Sequence, residues 1–102
     1  AAIREANVGA TEVPFGTVKL CLEGLKITET MVGKSNPNAA SDLGVAALNL
    51  LSGIRGAWLN VKINLPGIKD EALKAEFESA GAMVDEAYVI SKRIYEEVLA
   101  SL

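Results

Sequence analysis

Histidine is missing from the 102 residues. Its absence removes the usual general base, the commonest metal ligand and every Ser/His or Cys/His nucleophile pair. The single cysteine, Cys21, excludes an internal disulfide framework and a Cys-based zinc site. With no signal-like start, a lone thiol points to a reducing, cytoplasmic setting. Basic side chains number 10 against 13 acidic ones, and the net charge of −3 offers no electrostatic footprint for nucleic acid. Aromatics make up only 5% of the chain, too few for a typical β-sandwich. No Gly-rich phosphate loop or metal-ligand cluster is present, so no metal is expected. Any chemistry must rest on carboxylates, amides, Lys, Arg and backbone.

What is present is apolar and small. Half of the residues are hydrophobic, mainly Ala, Leu, Val and Ile, a composition that suits closely packed helices. The chain opens Ala1-Ala2-Ile3-Arg4-Glu5, with no Met and no capping residue before helix-forming sequence. That start reads as a chain cut within a helix of a larger parent. About 100 residues also lie near the lower limit for a self-sufficient core, so an exposed apolar face awaiting a partner is expected.

Four segments emerge. Residues 1–12 read as the end of a helix, broken at Val13-Pro14 because proline disfavours the α conformation in the residue before it. A second helix is predicted from Pro14 to about Val32, with Phe15, Val18, Leu22 and Leu25 on one face and Cys21 as a small core residue. Gly33 ends it, and Lys34-Ser35-Asn36-Pro37-Asn38 is a turn by composition. The third segment, Ala39 to Leu65, should be capped by Asn38 or Ser41 and stopped by Pro66-Gly67. It is long enough to cross a bilayer, yet Arg55, Lys62, Asn49, Asn60 and Asn64 make it a poor span, so no membrane partner is expected. A helix buried on most sides, with Trp58 as a core or interface anchor, is the better reading. The last helix is predicted from Asp70, as N-cap, to near Ser101. Its seam is Leu73, Phe77, Ala80, Val84, Ala87, Ile94 and Val98, interrupted by Ser91, and Asp70–Lys74 and Lys92–Glu96 are spaced to pair.

On a helical wheel of the third segment, Asp42, Ala46, Asn49, Gly53, Gly56, Asn60 and Asn64 fall in one narrow stripe, with Arg55 and Lys62 nearly opposite. Glycine costs about 1 kcal/mol against alanine inside a helix, so two of them in one stripe need a close backbone or a ligand as their reason. Two readings stay open. The stripe is a tight helix-packing seam, with Asn fixing register and Asp42 simply favoured by the helix dipole. Or it is a polar pocket wall, its amides offering donors and acceptors to a heterocycle.

The run Lys34-Ser35-Asn36-Pro37-Asn38-Ala39-Ala40-Ser41-Asp42-Leu43-Gly44-Val45-Ala46-Ala47, followed by Ile54-Arg55-Gly56-Ala57-Trp58-Leu59-Asn60-Val61-Lys62-Ile63-Asn64-Leu65, resembles the cyclodeaminase/cyclohydrolase family. The family comprises the formiminotransferase-cyclodeaminase C-terminal domain and the bacterial methenyltetrahydrofolate cyclohydrolases. Ser35 stands where the family usually has Gly. The resemblance covers essentially the whole chain and implies an all-α antiparallel bundle of about three long helices plus the end of another. Residues 1–102 would form the C-terminal half of one such domain.

The implied function is folate one-carbon chemistry. A methenyltetrahydrofolate cyclohydrolase adds water to 5,10-methenyl-tetrahydrofolate, giving 10-formyl-tetrahydrofolate; a formimidoyltetrahydrofolate cyclodeaminase closes 5-formimino-tetrahydrofolate to the methenyl form with loss of ammonia. Asp42 is the implied catalytic residue, and Asn36, Asn38, Asn60 and Asn64 the implied substrate-binding residues. No permanently bound cofactor is implied, the tetrahydrofolate derivative being substrate. A homodimer and the domain's other half, which carries a Pro-Gly-Gly-Gly segment, are the implied partners, and this half alone should be inactive. The alternative is a non-catalytic helical dimerisation module with an Asn/Gly packing seam.

Overall fold

The computed structural model describes residues 2–34 and 36–102. It is all-α: α1 (Ala2–Met31), α2 (Ala40–Asn64), α3 (Glu71–Glu78) and α4 (Ala80–Ser101), with single 3-10 turns at Pro37–Ala39 and Leu65–Gly67. The three long helices lie side by side in a rod of 54 × 18 × 17 Å, and α2 packs against both α1 and α4. Phe15, Val18, Leu22 and Leu25 of α1 meet Ala47, Ile54, Ala57 and Val61 of α2 and Ala80, Ala87, Ile90 and Ile94 of α4. Phe77 of α3 plugs one end, edge-on to Phe15 with ring centroids 5.2 Å apart.

The expected break before Pro14 does not occur, and α1 runs through the proline. Pro14 lacks the N–H that would bond the Ala10 carbonyl. The Asn64 side-chain amide approaches that carbonyl from α2, Nδ2 lying 3.5 Å away. Tertiary packing therefore supplies part of what the local sequence withholds. The helix ends where expected, with Gly33 at φ +79°, a left-handed conformation that favours glycine.

Neither Asn38 nor Ser41 caps α2. Its first turn is preceded by Ala39 with no side-chain bond to the backbone, and the Asn38 backbone N–H is taken up by Asn36 Oδ1 at 3.0 Å. The last helix is not continuous either. Asp70 caps α3 as expected, accepting the Leu73 N–H at 3.1 Å, but Ser79 tightens to ψ −19° and separates α3 from α4. Ser79 donates its hydroxyl to the Glu76 carbonyl, the local competition by which serine loosens a helix. Asp70 is spent on its cap and forms no ion pair with Lys74 among the described residues, whereas Lys92–Glu96 pairs at 3.9 Å.

The seam of α4 is buried from Ala80 to Val98 and includes Ile90. Ser91 does not interrupt it: the residue is buried and donates to the Ala47 carbonyl at 3.3 Å. The groove between α1 and α4 is bridged by Lys26–Glu86 at 3.4 Å and by a two-pronged Arg93–Glu29 pair at 2.9 Å. No helix among the described residues is long and apolar enough to cross a membrane.

Candidate functional site

The third segment is less enclosed than its apolar sequence suggests. Only Gly44, Ala47, Ile54, Ala57 and Val61 of α2 are buried, while Val45, Leu48, Leu59 and Ile63 are exposed. The reason is geometric. A helix flanked by only two long neighbours covers about half of its circumference, and the polar stripe falls on the edge of the uncovered side.

That stripe borders a shallow groove of about 550 Å³ between α1 and α2. Ala10, Val13, Pro14 and Thr17 form one wall, and Ser52, Gly53, Gly56, Asn60 and Asn64 the other. Asn64 donates to the Asn60 carbonyl at 2.9 Å as well as reaching toward Ala10. The Asn60 side chain is exposed and makes no hydrogen bond among the described residues, which leaves its amide available to a ligand.

Asp42, Asn36 and Asn38 stand at the opposite end of α2, all exposed. Asp42 lies in the first turn, where the helix dipole favours a carboxylate. Asn36 and Asn38 hold one another in an Asx-type turn. A smaller pocket of about 370 Å³ lies beside this end, lined by Val32, Gly33, Ala40, Leu43, Glu97 and Val98. Eighteen residues separate Asp42 from Asn60, which at 1.5 Å per residue is about 27 Å. Within one chain the five candidate residues thus form two clusters, one at each end of α2.

The glycines differ in what surrounds them: those of the stripe, like Gly9 and Gly16, have room for a side chain, and several others do not. A Cβ on Gly24, Gly44 or Gly81 would press within 3.2–3.3 Å of Leu50, Val98 or Trp58, so those glycines serve internal packing. A Cβ on Gly53 would meet only Cys21 Sγ, at an ordinary 3.4 Å, and one on Gly56 would meet nothing within 4 Å. Among the described residues no neighbour requires glycine at either stripe position.

Cys21 is half-buried against the core, and burial pushes its thiol pKa up, which makes it a poor nucleophile. Trp58 is half-buried and packs on the core, with the Lys62 ammonium 5.7 Å from its ring centroid. The sequence reading missed the Arg55–Tyr88 pair, in which the guanidinium lies 5.0 Å from the ring centroid. The 33-residue separation of the two hides it until α2 and α4 are docked.

An all-α antiparallel bundle, whose long central helix carries an Asn/Gly stripe preceded by an Asn-Pro-Asn turn and a first-turn Asp, defines the class of the molecule. Residues 1–82 match the formiminotransferase-cyclodeaminase family, and the chain belongs to it. It is also similar to a methenyltetrahydrofolate cyclohydrolase of Methylorubrum extorquens, with 38% identity over 99 residues. The match takes in 96% of this chain and 48% of that relative, so the chain spans about half the relative's length.

Proposed function

We propose that this chain is the C-terminal half of a domain that carries out methenyltetrahydrofolate cyclohydrolysis. The observation that carries the reading is the 38% identity to a named cyclohydrolase, sustained over 96% of the chain. In that reaction water adds to the cationic carbon bridging N5 and N10 and gives up a proton. The bond from that carbon to N5 then breaks and N5 takes a proton, leaving 10-formyl-tetrahydrofolate. A carboxylate suits both demands, as counter-charge to the amidinium-like centre and as proton carrier. Asp42 takes that role in this proposal, and Asn36, Asn38, Asn60 and Asn64 bond the heterocycle and its substituents through amide donors and acceptors. The absence of histidine from the chain is consistent with such a site. The tetrahydrofolate derivative is substrate rather than resident cofactor, and the setting is the cytoplasm.

The related cyclodeaminase reaction uses the same folate carbon, and family membership alone supports it. Ammonia release from 5-formimino-tetrahydrofolate, measured beside loss of methenyl-tetrahydrofolate absorbance, separates the two. In the full-length protein, Asp42→Asn is expected to lower the faster of these rates by about 100-fold or more. An unchanged rate removes Asp42 from the mechanism.

A second reading, a helical interaction module without catalysis, is favoured by the open space around Gly56 and the exposed apolar residues of α2. Calorimetric titration with tetrahydrofolate discriminates, because the module predicts no heat of binding.

A further inference from the structure

Asn60 and Asn64 line the same wall of the groove between α1 and α2, yet they do not offer the same chemistry. A primary amide carries two N–H donors on its nitrogen and an acceptor on its oxygen. Asn64 Nδ2 lies 2.9 Å from the Asn60 carbonyl and 3.5 Å from the Ala10 carbonyl. With its nitrogen end turned toward two backbone oxygens, Oδ1 is the end left for the groove. Asn64 is thereby an acceptor only. The Asn60 amide, exposed and unbonded among the described residues, keeps both donor and acceptor.

The second of those carbonyls is available because of Pro14. In an uninterrupted helix the Ala10 oxygen would accept the N–H of residue 14. Proline has no N–H, and its ring crowds that oxygen. Pro14 is buried and lines the same groove. A proline inside a long helix works against the helix and needs a reason. The orientation of Asn64 supplies one.

The groove also has a bare stretch of backbone beside the two amides. Gly56 lies four residues before Asn60 and Gly53 seven, so both share its face of α2. Both line the groove, and a Cβ on Gly56 would meet nothing within 4 Å. A planar ring can lie there with its edge toward Asn60 and Asn64.

We propose that Pro14 and Ala10 are positioning residues, which set Asn64 as the acceptor for the 2-amino group of a pterin ring while Asn60 pairs with the adjacent lactam. The inference rests on the folate reading above, though not on the role of Asp42. The edge of a reduced pterin presents, in order, the 2-amino donor, the N3–H donor and the O4 acceptor. Its lactam is a cis amide, so the Asn60 side chain matches it by accepting from N3–H and donating to O4. Asn64 is the next residue along that face, about 5–6 Å away between Cβ atoms. Acceptor, acceptor and donor along the helix thus complement donor, donor and acceptor along the ring. An Asn64 free to turn over would present its own N–H groups to the 2-amino donor.

The test is calorimetric titration of the full-length protein with 5-formyl-tetrahydrofolate and with its 2-desamino-2-methyl analogue, which lacks that donor. The unsubstituted protein should favour the amino compound by about 10-fold, the loss expected when a polar group of the site is left unpaired. Asn64→Ala should remove the preference, and Pro14→Ala should reduce it to about 3-fold or less. Pro14→Ala is expected to be the more stable protein, so thermal melting separates a lost preference from a folding defect. Equal affinity for the two compounds in the unsubstituted protein overturns the proposal. So does a preference that survives Pro14→Ala intact.

Failure of the unsubstituted protein to bind either compound falls on the folate reading instead. The positioning step is then decided by nuclear magnetic resonance of the Asn64 side-chain amide, assigned by its absence from the Asn64→Ala spectrum. Pro14→Ala should shift that signal and speed its exchange with water. An unchanged signal overturns the role of Pro14.

Discussion

Glu29 and Arg93 are 64 residues apart in sequence and joined by two hydrogen bonds of 2.9 Å. The guanidinium holds the Glu29 carboxyl below the usual carboxylate range, chiefly through that hydrogen bonding. A lowered native pKa means that the pair's contribution is fully present above the ordinary glutamate value of about 4.3 and is lost as pH falls through the native one. Glu29→Gln should therefore lower the urea midpoint at neutral pH, with the gap to the native chain closing below about pH 4. A gap independent of pH would show that the carboxylate charge is immaterial. Ile54, fully buried at the middle of α2, sits at the other extreme. Its truncation in Ile54→Ala should cost about 2–5 kcal/mol in equilibrium denaturation, the range for a large core side chain replaced by a cavity.

Among the elements, α1 gives the most instructive contrast between local and tertiary control. Proline in a helix interior costs about 3 kcal/mol, and α1 persists because the Phe15–Leu25 face is buried along α2 and α4. Pro14→Ala restores the N–H opposite Ala10 but loses some packing of the buried ring. A net gain of about 1–2 kcal/mol in denaturant unfolding is expected. Sequence patterns alone were enough for the extent of α2, the core face of α1, the Gly33 stop and the Asp70 cap, because periodicity and terminal chemistry act within one turn. They were not enough for Pro14, whose tolerance depends on residues 50 positions away, nor for Ser79, where the apolar steps from Phe77 to Ala80 to Val84 pass straight over the break. The candidate site divides likewise. Its residues were legible as a motif, and their separation follows from the helical rise, but the exposure of α2 depends on how many neighbours it finds.

At the scale of the whole molecule, the elongated rod leaves apolar side chains exposed on all three long helices, among them Val13, Leu20 and Ile27 of α1, Leu59 and Ile63 of α2, and Val89 and Leu99 of α4. Leu59 is 69% exposed and touches no core, so Leu59→Glu should leave helix content by circular dichroism unchanged. The same substitution should abolish the rise of melting temperature with protein concentration that self-association produces. Retention of that rise would place the contact elsewhere on the surface.

Trp58, the single tryptophan of the chain, lies over the backbone of α4, its ring carbons 3.2–3.3 Å from where a Cβ on Gly81 would be. The indole therefore marks the joint between α2 and α4 and is blind to the one between α1 and α2. In a stopped-flow refolding experiment its emission times the arrival of the last helix, while far-ultraviolet ellipticity follows all of them. A fluorescence phase slower than the ellipticity phase would mean that the α1–α2 hairpin assembles first and α4 then closes onto it.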